Sequence, residues 1–392
     1  VTPTSSAGSC PGTSQTITVT VNPTPAMTNA NTKTICSGVS VALALTSNVA
    51  STYTWIAANN ANTSGESITT QTATTIGDVI TNTTTSAQTV IYTVTPTSSA
   101  GSCVGTSQTI TVTVNPTPSM TNASTKTICS GASVALALTS NVASTYTWIA
   151  ANNANTSGES ITTQTATTIG DVITNTTTSV QTVIYTVTPT SSGGACAGPA
   201  QTITITVNPT PVMTNANTVT ICSGGSVGLA LTSNVASTYT WIATNNANTT
   251  GESITTQTAT TIGDVITNTT TSAQNVIYTV TPTSSAGSCV GTSQTITVTV
   301  NPIPVMTSAA TATICSGGTV GLALTSNVAS TYTWIAADNA STSGESITTQ
   351  TATTINDVIT NGTAIVQTVV YTVTPTSSGG GCIGASQTVS VT

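Results

Sequence analysis

The chain has 392 residues, of which 3% are charged, with two Lys or Arg against nine Asp or Glu, a formal net charge of −7, and neither His nor Phe. With Lys33 and Lys126 as its only cations it cannot neutralise a phosphate backbone, which excludes nucleic-acid binding. No apolar run approaches the ~20 residues of a membrane helix, and the wealth of Thr, Val and Ile favours ordered β structure over disorder.

Ile35-Cys36-Ser37-Gly38 and the run Val41-Ala42-Leu43-Ala44-Leu45 return at Ile128-Cys129, Ile221-Cys222 and Ile314-Cys315, 93 residues apart each time. A register kept without insertion or deletion marks a tandem array. We divide it into residues 1–21, the last strand of a preceding repeat, and repeats 22–114, 115–207, 208–300 and 301–392. Val1-Thr2-Pro3 aligns with Val94-Thr95-Pro96 in mid-repeat, so the sequence reads as an excerpt whose export signal and anchor lie outside it. A unit of this size has a modest core and gains from neighbours or crosslinks.

In chain order, Ser14 to Val21 alternates strictly, as a half-buried strand does. Asn22-Pro23-Thr24-Pro25, with copies starting at Asn115, Asn208 and Asn301, removes ladder donors and reads as a short, stiff linker at the domain boundary. Ala26 to Ile35 follows as an edge strand, then a turn at Ser37-Gly38. Val41, Leu43 and Leu45 point one way from the next strand, and Tyr53 and Trp55 share a face of Ser51 to Ile56. Asn59 to Gly65 is turn-like, Ile68 to Thr75 reads as a Thr-rich outer strand, and Thr75 to Asn82 as a short strand ending in a turn. Val90 to Pro96 is the clearest strand, Ser98 to Gly105 a hairpin loop, and Gln108 to Val114 the last strand. Some seven short strands without helical periodicity predict an all-β chain, a tandem array of antiparallel β-sandwiches.

The succession ICSG, an alternating apolar strand, YTW, DVITN, VIYTVTPTS, a Cys-Gly loop and ITVTVNPTP resembles the PKD-like, immunoglobulin-type repeats of large Bacteroidota surface proteins, gliding-associated adhesins among them. The resemblance covers every repeat nearly end to end. It implies Ig-like sandwiches that act as spacers in a parent exported by the type IX route, with binding domains elsewhere. The fold itself names no activity.

No enzyme activity is expected. Triads need a base, and histidine is absent. Each repeat carries one Glu and one Asp, Glu66 and Asp78 in the first, with an extra Asp338 in the fourth, and a catalytic pair copied into every unit of a stalk is implausible. The same two residues, with Asn59 and Asn62, are weak calcium candidates, since they lie twelve residues apart without D-x-D-x-D spacing. The plainer reading makes Glu66 a solvated loop acid and Asp78 a partner of local backbone amides. No metal or other cofactor is assigned. Tyr53, Trp55 and Tyr92, with Trp148, Trp241 and Trp334, are read as core aromatics, because an Ig-type sandwich places a Trp against its centre. Lys33 and Lys126 would suit an isopeptide crosslink, but Val219 and Ala312 replace them in repeats three and four.

The nine cysteines fall into a turn series, Cys36, Cys129, Cys222 and Cys315, and a hairpin series, Cys10, Cys103, Cys196, Cys289 and Cys382. One of each per repeat argues for disulfides in an oxidising, extracellular setting. Two registers are open. Pairing within a domain, Cys36 with Cys103, is the simple one, and the likeness to Ig domains encourages it. However, the two points lie at opposite ends of a sandwich whose strands are about 30 Å long, against about 6 Å between bridged Cα atoms. Stacking the domains instead pairs Cys36 with Cys196, Cys129 with Cys289 and Cys222 with Cys382, leaving Cys10, Cys103 and Cys315 for repeats beyond the excerpt. Such ties would stiffen the array into a rod on the order of 150 Å long.

The functional expectation is an extracellular stalk or self-associating surface filament, whose partners are identical copies. No membrane insertion is expected within this segment, and surface or glycan ligands would be met by domains outside it. The near absence of surface charge favours self-association. The alternative is a carbohydrate- or ice-binding face built from Thr16, Thr18 and Thr20 or from Thr69, Thr72 and Thr74, although sandwich twist opposes a flat array.

Overall fold

The computed structural model describes residues 1–392 and contains strands and turns but no helix. Two compact units are present, Val1–Thr174 with Thr182–Thr206 and Asn175–Gln181 with Val207–Thr392. In the first unit, repeat one supplies β1 Thr32–Cys36, β2 Val39–Ser40, β3 Leu43–Ala44, β4 Ser51–Ala57, β5 Thr63–Ser64, β6 Thr75–Ile76, β7 Val79–Asn82, β8 Gln88–Ser98 and β9 Gln108–Asn115. One sheet has the order β1-β9-β8-β4, and the opposing layer consists of β2-β7-β5 and the pair β3-β6. The second unit repeats the arrangement, for example as a sheet of Thr218–Cys222, Gln294–Asn301, Gln274–Ser284 and Ser237–Ala243. Each repeat is thus an Ig-like β-sandwich, and the chain is an all-β tandem array of them.

Period-two alternation builds the core. On β4, Tyr53, Trp55 and Ala57 point inward while Thr52, Thr54 and Ile56 point out. Val90, Tyr92 and Val94 of β8 and Ile110, Val112 and Val114 of β9 are fully buried. They meet Val41, Leu45, Ile76 and Ile80 from the opposing layer. The Trp55 ring meets Tyr92 edge-on at 5.8 Å, and its Nε1 donates to the Ala73 carbonyl at 3.0 Å. This satisfies the indole's only polar group.

Tyr92 donates its hydroxyl to Asp78 at 2.9 Å. Asp78 also accepts from the Ser67 amide at 2.7 Å and the Ser67 hydroxyl at 2.8 Å. Burial, ahead of the bond to Asp78, pushes the Tyr92 phenol far above its ordinary value, and Tyr185, Tyr278 and Tyr371 are held in the same way.

Three segments differ from the sequence expectation. The edge strand starts only at Thr32. Before it, Thr28 donates to Thr46 O at 3.0 Å and Asn29 brackets Ala44 O and Thr46 N, so the chain first follows the β3 layer and then crosses to β9. There β1 runs parallel to β9, which departs from all-antiparallel pairing; the whole intervening sandwich is the crossover that parallel strands need. Ile68 to Thr74 is no strand. It follows the β4 edge through Ala57 N to Ser67 O and reciprocal Trp55–Gln71 bonds, and Thr hydroxyls and turns break further pairing. Ser14 to Val21 also forms no strand, and Ile17, Val19 and Val21 are 65%, 76% and 87% exposed. Residues 1–5 and 10–15 keep a hairpin, and no strand lies beside Ser14 to Val21 as β1 and β8 lie beside β9.

Lys33 finds a backbone carbonyl rather than a carboxamide partner. Its Nζ donates to Ala42 O at 3.0 Å, and Lys126 does the same to Ala135 O at 3.0 Å. Ala42 and Ala135 sit at φ 43° and 42°, in the left-handed region, where a Cβ is strained. Repeats three and four place Gly228 and Gly321 there, at φ 58° and 61°, and in both the lysine is gone. The cation is thus tied to the strained peptide, which glycine renders comfortable without help.

Two outcomes follow from the core and this turn. Replacing Ala42→Gly should stabilise the first repeat by about 1 kcal/mol, and Lys33→Val should cost more in the wild type than alongside Ala42→Gly, as read by a chemical-denaturation double-mutant cycle. The raised phenols retain their proton in the folded state while unfolded tyrosines ionise near pH ~10. Their contribution is therefore fully present below that pH and lost above it, by about 1.4 kcal/mol per pH unit per phenol, so melting temperature should fall steeply between about pH 10 and 11.

Candidate functional site: the cysteine junction

Cys36 is the last residue of β1 and pairs in register with Asn115, the last residue of β9. The chain then reverses sharply at Ser37-Gly38, where Gly38 has φ 79° and donates to Ile80 O at 2.8 Å. Ser37 N donates to Asn115 O at 2.8 Å, and Ser37 Oγ accepts the Asn82 amide at 2.9 Å. Asn82 in turn donates to Val114 O at 2.8 Å and Ser86 O at 2.7 Å. Turn cysteine, end of β9 and linker are therefore fixed together at the exit of the sandwich.

The hairpin cysteine lies at the other end. Cys103 sits between β8 and β9, and Gly105 donates to Pro96 O at 2.8 Å with its Cα pressed against the Pro25 carbonyl of the incoming linker. The length of β9, about 25 Å, separates Cys36 from Cys103. In repeat two the equivalent loop holds Cys196, only 1% exposed, whose carbonyl accepts from Ser191 N at 2.9 Å and whose amide donates to Ser191 Oγ at 3.1 Å. Gly194 of that loop packs against the Asn115 side chain, and a Cβ there would collide with it. This packing puts Cys196 beside the exit of repeat one.

The structure bonds Cys36 to Cys196 with Cα atoms 5.7 Å apart, across 160 residues, and Cys222 to Cys382 in the second unit at 5.6 Å, also across 160. Cys10, Cys103 and Cys315 carry free thiols. In the second unit Ser223 N likewise donates to Asn301 O at 2.8 Å, and Gly380 packs against Asn301. The X-Pro linker that follows β9 is not an exposed strut: Asn115, Pro116 and Pro118 are buried, whereas Pro23 of the first linker is exposed. Asn115 was read from the sequence as the start of the boundary linker, whereas Asn82 and Gly194 were missed as junction residues, although a Gly at the centre of the hairpin loop recurs in every repeat.

The remaining candidate residues lie apart from the junction. Trp148, Trp241 and Trp334 occupy cores as Trp55 does, and Tyr53 shares a hydrogen bond of 2.9 Å with Ser47. Asp78 spends its acceptors on Ser67 and Tyr92, as described. Glu66 is no solvated loop acid. Its Oε1 accepts from Asn60 N at 3.3 Å and Thr63 Oγ1 at 3.1 Å, capping the turn, and its Oε2 is buried without a hydrogen-bond partner. No three His, Cys, Asp or Glu side chains cluster at metal-binding distance. Thr16, Thr18 and Thr20 lie outside any sheet, and Thr69 to Thr74 is irregular, so neither set forms a ruled face. A cavity of about 190 Å³ lined by Ile314, Cys315, Asn361 and Val391 opens in repeat four; at the corresponding end of repeat one the space is filled by Val114 and Asn115.

No helix is long and apolar enough to cross a membrane. No curated protein matches the chain. Solved structures with similar folds include the human desmocollin-1 ectodomain, at 13% identity and TM-score 0.23 over 93% of this chain and 78% of that one. A fragment of mouse cadherin-23 matches at 12% and 0.27 over 72% and 99%, and the insect immune protein hemolin at 10% and 0.25 over 94% and 99%. The PKD-like domain profile matches residues 33–118, 126–211, 219–304 and 312–392, most of every repeat. The chain belongs to the PKD-like domain family, as a tandem array of four such domains.

Proposed function

We propose that this chain is an extracellular spacer, a stalk or filament segment of an exported surface protein, in which each PKD-like domain is clamped to the next by a disulfide. The observation that supports it most directly is the Cys36–Cys196 bond, which spans a domain boundary instead of stapling one core. A tie at the boundary removes hinge freedom there, and closing a loop of 160 residues stabilises the folded pair by about 5 kcal/mol on the chain-entropy account. Disulfides at this density belong to an oxidising compartment. We take 22–114, 115–207, 208–300 and 301–392 as the domain bounds. On the resemblance of its repeats we place the parent among Bacteroidota surface proteins.

The buried linker supports stiffness as well, since Asn115 and Pro116 are held by both neighbours rather than by solvent. No catalytic role is assigned to a chain without histidine whose carboxylates serve turns and core hydroxyls. Copies of the same chain are its partners, because a surface with 3% charged residues has little electrostatic barrier to association.

Non-reducing peptide mapping should recover a Cys36 to Cys196 and a Cys222 to Cys382 linked peptide; a Cys36 to Cys103 peptide would sink the clamp. Small-angle scattering of the full chain should show a broader distribution of dimensions after reduction, or in the Cys36→Ser variant, with the strand signature in circular dichroism unchanged. An oxidised chain as flexible as the reduced one would remove the spacer reading.

A further inference from the structure

We propose that the outward face of the four-stranded sheet is the surface through which copies of this chain pack side by side, which rests on the self-association just proposed. The pairing register rules this face with threonine. Thr34, Thr113 and Thr89 lie abreast on β1, β9 and β8, and Thr32, Thr111 and Ile91 make the next row. Thr109, Thr93 and Ile56 follow on β9, β8 and β4, with Thr95 beside Thr54 beyond them. Alternate residues on β4, β8 and β9 are core, so these side chains share the outer side.

No charged residue stands in these rows. Lys33 turns to Ala42 on the other side of β1, and Glu66 and Asp78 flank strands of the opposing layer. Two copies of a charged face repel, whereas this one meets its own copy without a Coulomb penalty. Each Thr presents a methyl group and a hydroxyl that both donates and accepts, so the face is complementary to itself.

Across the repeats the face keeps its uncharged character. Exposed positions tolerate change at little cost to the fold, and the hairpin loop does change: Ala100, Ser102, Val104 and Thr106 become Gly193, Ala195, Ala197 and Pro199. On the ruled face the substitutions are Asn275 for Thr89, Val370 for Ile91 and Ser390 for Thr111, all uncharged.

Area sets how the contact works. Four strands about 4.8 Å apart and some seven residues long give a face of about 400 Å² per repeat, about half of the roughly 800 Å² that each partner of a stable interface supplies. A single repeat therefore associates weakly, and the array makes the contact cumulative.

The test uses the full oxidised chain in sedimentation velocity over a wide concentration range. Thr93→Lys with its copies Thr186→Lys, Thr279→Lys and Thr372→Lys should raise the concentration needed for assembly at least tenfold. The control set Thr81→Lys, Thr174→Lys, Thr267→Lys and Thr360→Lys adds the same charge to the opposing layer and should assemble like wild type. Circular dichroism checks the fold, and Thr54→Lys with its three copies stands in if the first set unfolds. Assembly unaffected by both face sets, or lost equally in the control, overturns the assignment of the face while leaving self-association intact. A wild type that stays monomeric throughout removes both. A monomeric wild type that instead sediments with an insoluble polysaccharide, and loses that binding in the Thr93 set, makes the occupant a glycan and overturns the proposal.

Discussion

The structure depends on one geometric fact: the two cysteines of a repeat sit at opposite ends of its sandwich. Cys36 closes β1 beside the end of β9, while the hairpin cysteine precedes β9 by the full length of that strand. Neither can reach the other inside one domain, because disulfide geometry demands Cα atoms about 6 Å apart. The exit of one sandwich and the hairpin of the next can meet, and in each unit the bonded pair spans that boundary. A crosslink that stabilises a single Ig core is thereby replaced by one that fixes the relation between neighbours.

Other features of the repeat follow from holding that boundary. Ser37 and Asn82 brace the end of β9, and Asn115 is held between the Ser37 amide and the hairpin glycine of the next domain. The prolines that follow lack amide donors, so burying them leaves fewer unpaired groups than burying an ordinary loop would. The hairpin presents its cysteine in the same way whether or not it is bonded: Ser102, before the free Cys103, has φ 50°, and Ala195, before the bonded Cys196, has φ 51°. The loop therefore takes this conformation with or without the bond.

The scarcity of charge has a structural side as well as a functional one. The carboxylate of Asp78 is spent on Ser67 and Tyr92, and that of Glu66 on the 60–63 turn. The lysines compensate for strained alanines and disappear where glycine takes their place. What remains outside is threonine, whose β-branched side chain fits a pleated surface while its hydroxyl keeps that surface wet.

Period-two alternation was enough, from the sequence alone, to identify the core of β4, β8 and β9, because each of those strands is long, paired in the four-stranded sheet and buried on one side. The 93-residue register marked the repeat, and the lack of histidine, with only two lysines, left no base for a catalytic triad and no basic patch for a phosphate backbone. Three-dimensional packing decided what alternation cannot express. Ile68 to Thr74 and Ser14 to Val21 alternate or are rich in β-formers, yet a strand exists only where a ladder runs on: Ile68 to Thr74 makes the single Trp55–Gln71 bridge to β4, and Ser14 to Val21 makes no bridge. The parallel pairing of β1 with β9 joins residues some eighty positions apart, and the contact between Asn115 and Gly194 sets the hairpin of one sandwich against the end of the strand that precedes it. Local sequence carries side-chain preference; which distant backbone lies alongside is set only when the whole sandwich closes and the next one docks on its end.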